Sequence, residues 1–465
     1  MQPGRGLALA RTLLALSGLT LVVAGDPARA QGAGITTAAT GQADSALASS
    51  VSLDSLIAIA LAANPGLHAA SARVEAARAQ IGPAGARPDP MLMAGILNFP
   101  YGKPGFSDNF TMNTVRLTQT FPYPGKLSLA EEAARADQAA AVSESEQARL
   151  DVTRDVKAAY YELSFVRRAM DIVQRNEAVL GGLINVSQAR YVVGTAAQAD
   201  VLRARVEAAH LGDEAASLAA EERAALARLN AVLERPSDAP VDSPAIPARI
   251  ARLAVEDSAV HVHFTSATLG ASASNSPLLP RDSLQVLAVR NSPMLRAHEA
   301  RIAAQERRLA LAEKAHLPDF DVSLEYDERP HFRDYVSFFV SVPLRLQRGR
   351  KQDQEVLGAR AELSALHAEH TAEVDALGKD VTTLASDVER ERTELALSLK
   401  AVLPQARATL ESAEASYQVG RVDFPAVMDA QASVFNYETA YFRALADFAT
   451  SLAELERVVG TEVLR

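Results

Sequence analysis

The sequence predicts a mainly α-helical chain with a small β part, built as a tandem duplication of long coiled-coil helices and two transmembrane β-hairpins. Three observations predict it. Ala189–Arg205 and Ala415–Gln431 match at Tyr191/Tyr417, Val193/Val419, Gly194/Gly420, Val201/Val427 and Ala204/Ala430, all at an offset of 226 residues. Very long stretches carry apolar residues at alternating three- and four-residue spacings, the mark of a coiled-coil seam. Two shorter stretches switch to a period of two, the mark of strands with one apolar face.

Residues 1–30 read as a signal peptide: Arg5 and Arg11, an apolar run from Leu13 to Ala24, and a small-x-small site at Ala28-Arg29-Ala30. The run is short of the roughly 20 residues that a spanning helix needs, which sets the alternative of a membrane anchor behind cleavage. Removing Arg5, Arg11, Arg29 and Asp26 leaves 44 basic against 56 acidic residues, a net charge of −12. That balance disfavours nucleic acid as a partner. The chain has no cysteine, hence no disulfide framework and no lipidated N-terminal Cys.

The first repeat covers 31–235. Residues 31–50 are small, polar and aperiodic, a flexible lead-in. A helix from about Leu53 breaks at Asn64-Pro65 and resumes to about Gln80. A β-hairpin at about 91–121 follows, with Met91–Phe99 and Phe110–Phe121 around a Gly/Pro-rich loop. From Leu127 to Tyr191 no proline interrupts the helix, which would reach about 100 Å at 1.5 Å per residue. Val152, Val156, Ala159, Leu163, Val166, Met170 and Val173 form its seam. Gly194 ends it in a bend, since glycine tolerates positive φ at helix ends. A shorter helix returns from Ala199 to about Glu234.

Residues 236–280, rich in Pro, Ser and Ala, read as a connector. The second repeat, 281–465, replays the order. Asp282-Ser283-Leu284 aligns with Asp54-Ser55-Leu56, and Pro293 with Pro65. The hairpin at about 320–344 is cleaner: Phe320, Val322, Leu324 and Tyr326 alternate with Asp321, Ser323, Glu325 and Asp327. The seam through Val374, Leu377, Val381, Leu384 and Val388 leads to Pro404, where a kink is expected. The bend falls at Gly420 and the return helix runs from Ala426 to about Val459. In each repeat, return helix plus opening helix nearly equal the long helix in length, so the two short ones can stack end to end beside it.

Of 24 aromatic residues, 12 lie in 91–123 and 320–339, which concentrates them on the hairpins. An ordinary soluble sheet is one reading of the four strands. The other is a membrane barrel, which needs about eight strands to close and so requires several copies. His367/His370 and His261/His263 lack third and fourth donors for a metal site. No phosphate loop, nucleophile elbow or HExxH motif occurs. No enzyme, metal or cofactor is expected.

Over the whole mature length the chain resembles the TolC family of outer-membrane efflux and secretion channels. The duplication, the paired hairpins and the Tyr-x-Val-Gly bends carry the likeness. Phe121–Leu127 (FPYPGKL) resembles its heavy-metal branch, the partners of cobalt–zinc–cadmium or copper pumps. The resemblance implies a homotrimer with a 12-stranded β-barrel in outer-membrane lipid and a periplasmic helical tunnel. It also implies a periplasmic adaptor and an inner-membrane pump of the RND type. By the same token Val193, Gly194, Thr195, Val419, Gly420 and Arg421 would dock the adaptor. Asp200 and Asp429 would ring the aperture, as carboxylate rings do in cation channels. The alternatives for each Asp are a charge meeting a helix N-terminus or an intrachain ion pair. Some relatives carry a further Asp where this chain has Ala426, and many carry a lipidated Cys. The implied function is a passive exit conduit, with heavy-metal cations as a candidate cargo. A type I secretion duct and a periplasmic coiled-coil scaffold are the other readings.

Overall fold

The computed structural model describes residues 52–463 except 102–104, 107, 109, 243, 256–260, 266–267 and 273–278. The leader expected at 1–30 and the lead-in expected at 31–50 lie outside the described residues.

Helices α1 (Leu53–Ala63) and α2 (Pro65–Gly85) meet at Asn64, whose side chain accepts from the Leu67 amide and caps α2. Strands β1 (Met91–Leu97) and β2 (Met112–Phe121) lead into α3, Lys126–Val192, unbroken over 67 residues. Gly181 and Gly182 do not interrupt it. After the first bend α4 (Gln198–Val232) returns. The second half repeats this order: α6 (Arg281–Asn291), α7 (Pro293–Lys314), β5 (Phe320–Glu328), β6 (Tyr335–Ser341) and α8 (Gln352–Leu397). It closes with α9 (Leu403–Gln418) and, after the second bend, α10 (Phe424–Val459).

The connector holds more structure than its composition suggests. It contains α5 (Ala248–Val255) and an antiparallel pair, β3 (His261–Thr265) with β4 (Thr268–Ser272). His261 and His263 fall on β3; their side chains lie outside the description. Pro404 also acts differently from a simple kink. Ser398–Val402 forms one π-helical turn ahead of it, and Pro404 sits in the first turn of α9. The wider turn absorbs the missing amide and the ring clash that proline would otherwise impose inside a helix.

The stacking inferred from helix lengths is present. Leu56 and Ala60 of α1 and Leu229 of α4 share one buried cluster with Val156, Tyr160, Tyr161 and Leu163 in the middle of α3. Leu284 and Ala288 of α6, Leu455 and Val459 of α10, and Val381, Ala385 and Val388 of α8 belong to the same cluster. The ends of the short helices thus meet at mid-rod, in an equatorial core.

This core also holds a charge. Glu391 is buried; burial pushes its carboxyl above the ordinary value, Asp447 and Asp387 add to that, and the Ser451 hydroxyl and Arg390 oppose it. A raised carboxyl favours the neutral form in the fold, so its stabilisation is present below the unfolded value and lost as pH rises through the folded one. Glu391→Gln is therefore expected to raise the melting temperature at pH 7 and to lose that advantage near pH 4. Equal shifts at both pH values would contradict this.

β1, β2, β5 and β6 form one antiparallel sheet in that order. Its register pairs Leu92 with Leu117, Leu117 with Leu324, Leu324 with Phe338, Val115 with Tyr326 and Tyr326 with Val336. Directly opposed residues share a face, so one face is apolar, and all of these side chains are exposed. On the central strands β2 and β5 the other face is polar and bonded across the strands, while Met91 and Met93 of β1 and Phe339 of β6 flank it at the edges. Thr114 donates to Asp327, Arg116 pairs with Glu325, Thr118 bonds Ser323, and Thr120 donates to Asp321. Thr114, Ser323, Glu325 and Asp327 are buried. A sheet that hides its polar face and presents its apolar face is inverted with respect to a soluble one. Among the described residues the edges β1 and β6 remain unpaired. Among the described residues no single helix is long and apolar enough to cross a membrane.

Candidate functional site: the two helical bends

Both bends use one backbone device. Gly194 has φ 76° and Gly420 has φ 75°. The Gly194 amide donates to the Tyr191 carbonyl at 3.0 Å and the Thr195 amide to the Arg190 carbonyl at 2.9 Å. At the second bend Gly420 donates to Tyr417 at 3.0 Å and Arg421 to Ser416 at 2.9 Å. These are the paired bonds of a Schellman motif, which satisfies the last carbonyls of α3 and α9. Thr195 adds a hydroxyl bond to the Arg190 carbonyl at 3.1 Å. No atom lies within 4 Å of a Cβ built on either glycine, and Val192, Val193 and Val419 stand exposed beside them. The tips therefore present bare backbone and apolar side chains to solvent.

The side chains around the two bends differ. Tyr417 is 6% exposed and meets Phe424 edge-on at 5.5 Å, whereas its counterpart Tyr191 is 44% exposed. Phe424 stands where the first repeat has Gln198, which removes the aromatic plug from that bend. Leu180, Ala204 and Leu211 of the first hairpin pack with Tyr417, Phe424, Val427 and Met428 of the second. The bends thus share one small core.

One polar contact ties them directly. Arg190, near the end of α3, donates to the Tyr417 carbonyl at 2.6 Å, and its guanidinium lies 4.5 Å from the centre of the Tyr417 ring. The same carbonyl also accepts the Gly420 amide. The repeat aligned with Arg190 has Ser416, so the link runs one way only. Sequence reading missed this residue. The one signal available was that mismatch, a lone arginine beside the otherwise matching Tyr-x-Val-Gly.

Asp200 lies in the first turn of α4, half-buried, and its carboxylate forms no hydrogen bond or ion pair with a described residue. Asp429 is exposed in the second turn of α10 and is likewise unpaired among the described residues. The ion-pair alternative is therefore removed for both. Position in the first turn keeps the helix-dipole account available for Asp200, while Asp429 lies beyond the reach of that effect. Asp423 at the start of α10 adds a third carboxylate to the bends, exposed like Asp429, and its side chain caps nothing. Further up the rod, Asn176 of α3 and Gln431 of α10 bond to each other in a buried layer. Among the described residues no group of three or more His, Asp or Glu could hold a metal ion.

The family described as Outer membrane efflux protein matches residues 56–234 and 284–461. No curated protein matches the sequence. Among solved structures the chain is similar to the outer-membrane channel OprN, with 19% identity, 88% of this chain and 89% of that one covered, and a TM-score of 0.71. VceC from Vibrio cholerae shares 19% identity over 88% of this chain and 96% of its own, with a TM-score of 0.70. CusC shares 14% over 89% and 93%, with a TM-score of 0.72. At such identities these structures establish the fold. The two matched spans cover well over half of the sequence, and the chain belongs to the outer membrane efflux protein family.

Proposed function

We propose that three copies of this chain form the passive exit conduit of a tripartite efflux system, spanning the outer membrane as a 12-stranded barrel and closing at the bends. The observation that carries this reading is the inverted sheet. Its apolar face suits lipid, its bonded polar face suits a water-filled lumen, and its free edges β1 and β6 would pair between copies so that no edge meets lipid. The chain contains no cysteine, which makes a clean test available. Single cysteines placed along β1 at Leu92 or Ala94 and along β6 at Val336 or Phe338, all on the apolar face, should cross-link only between copies, and to trimers when combined. Cross-links confined to one chain would contradict the barrel.

At the periplasmic end, Asp200 and Asp429 would line a cation-attracting aperture, and Arg190 would latch the closed state to Tyr417. Adaptor docking would act by favouring a splayed arrangement of the bends over the latched one. The docking surface would be Val193-Gly194-Thr195 and Val419-Gly420-Arg421. Gly194→Leu or Gly420→Leu forces a branched residue to positive φ at roughly 1–2 kcal/mol but meets no neighbour in this chain. Each is therefore expected to leave trimers intact and to abolish efflux, and normal efflux in both would remove these residues from docking.

Heavy-metal cations are the cargo that the Phe121–Leu127 resemblance favours, with an RND-type pump supplying the energy. Loss of zinc, cobalt, cadmium or copper tolerance on deletion would support it; unchanged tolerance to all four would point to another cargo.

A further inference from the structure

Exposed apolar residues continue in sequence past the end of β6 at Ser341. Val336, Phe338 and Val340 continue on alternate residues as Val342, Leu344 and Leu346, with Leu344 82% and Leu346 89% exposed. On the next alternate positions the chemistry changes to Arg348 and Arg350, followed by Lys351. A single 3₁₀ turn over Arg348–Arg350 gathers these charges just before α8. Arg348 lies 3.7 Å from Asp353, which also meets His316 at 3.5 Å. Arg350 and Lys351 are exposed and form no ion pair with a described residue. The segment is held in place from its other side. Arg345 and Lys126 both donate to the Leu317 carbonyl, at 3.2 and 2.8 Å, and Lys126 pairs with Asp319 at 2.7 Å.

We propose that residues 342–351 form a binding surface for anionic phospholipid in the leaflet on the helical side of the membrane. The two exposed leucines that follow β6 in sequence would enter the acyl boundary. Arg348, Arg350 and Lys351 would meet headgroup phosphates, where each basic residue near an anionic surface gains on the order of fivefold in affinity. Guanidinium groups suit phosphate oxygens by geometry as well as charge. A solvated loop would gain nothing from Leu344 and Leu346 in this position, and the bare cations favour an anionic lipid over a neutral one. The proposal rests on the outer-membrane localisation of the chain; barrel closure and conductance stand or fall separately.

The test is native mass spectrometry of the full mature protein in mild detergent with equal phosphatidylglycerol and phosphatidylethanolamine. The wild type is expected to retain phosphatidylglycerol preferentially, and to lose the preference in high salt, which screens exposed charges. The triple variant Arg348→Gln, Arg350→Gln, Lys351→Gln should lose at least about tenfold of it, with unchanged helix content and oligomeric state. Arg348→Lys with Arg350→Lys should keep most of it. Equal retention of both lipids by the wild type, or unchanged preference in the triple variant, would overturn the proposal. Efficient cross-linking of Leu346→Cys to a second copy would also overturn it, because the surface would then be covered by protein.

Discussion

Arg190→Ala is expected to raise the conductance of the resting channel by about an order of magnitude without disturbing the fold. The guanidinium makes a charge-assisted bond to the Tyr417 carbonyl and stacks on the Tyr417 ring. The bond contributes roughly 1.5–3 kcal/mol and an exposed stacking contact about 0.5–1 kcal/mol. Losing even about 2 kcal/mol shifts a two-state ratio roughly thirtyfold, enough to populate an open arrangement that is rare in the wild type. The fold survives because the Tyr417 carbonyl keeps its bond from Gly420, and Tyr417 keeps its contact with Phe424. Arg190→Lys separates the two parts, since lysine can donate the bond but presents no planar group to the ring. Its conductance should fall between those of the wild type and Arg190→Ala. Wild-type conductance in Arg190→Ala, measured on single channels, would show that the contact does not hold the closed state.

The second large effect concerns charge. Asp200→Ala combined with Asp429→Ala is expected to weaken block by polyvalent cations at least tenfold and to raise the closed-state current. Both carboxylates are free of ion pairs among the described residues, so their field is not neutralised within the chain. A ring of carboxylates repeated around an axis binds cations more tightly than any single site, which is why the double variant should exceed either single one. Asp429 should carry more of the effect. It is exposed beyond the first turn of its helix, whereas Asp200 also serves the N-terminus of α4. An unchanged affinity for blocking cations in the double variant would take both residues out of the gate.

The long elements were legible because their punctuation is local. Proline and glycine bound α3 on both sides, and the three-four spacing of Val156, Leu163, Val166 and Val173 told which face would be buried, as it is. The alternation along β5 separated an apolar from a polar face but did not say which one meets solvent. That answer lies in cross-strand partners such as Arg116 and Glu325, 209 residues apart. The Arg190 link escaped for the same reason, joining residues 227 apart. Pro404 was visible, yet the response of the chain to it was not: whether a helix kinks or opens one wide turn depends on neighbours such as α10 and α8, which pack around it. The connector's composition did not announce its short helix and two-stranded pair, which need few apolar residues. The bends were readable as a duplicated backbone device, and unreadable as unequal partners. Tyr191 and Tyr417 are the same residue in the same motif, and only packing against Phe424 buries one and leaves the other in water.

The central claim is that this chain assembles into a membrane-spanning duct with a closable periplasmic end. Single-channel recording of the purified protein in planar bilayers tests it most directly. The account predicts discrete, cation-selective conductance steps, small in the wild type and larger in Arg190→Ala. A protein that leaves the bilayer electrically silent in both forms would contradict it.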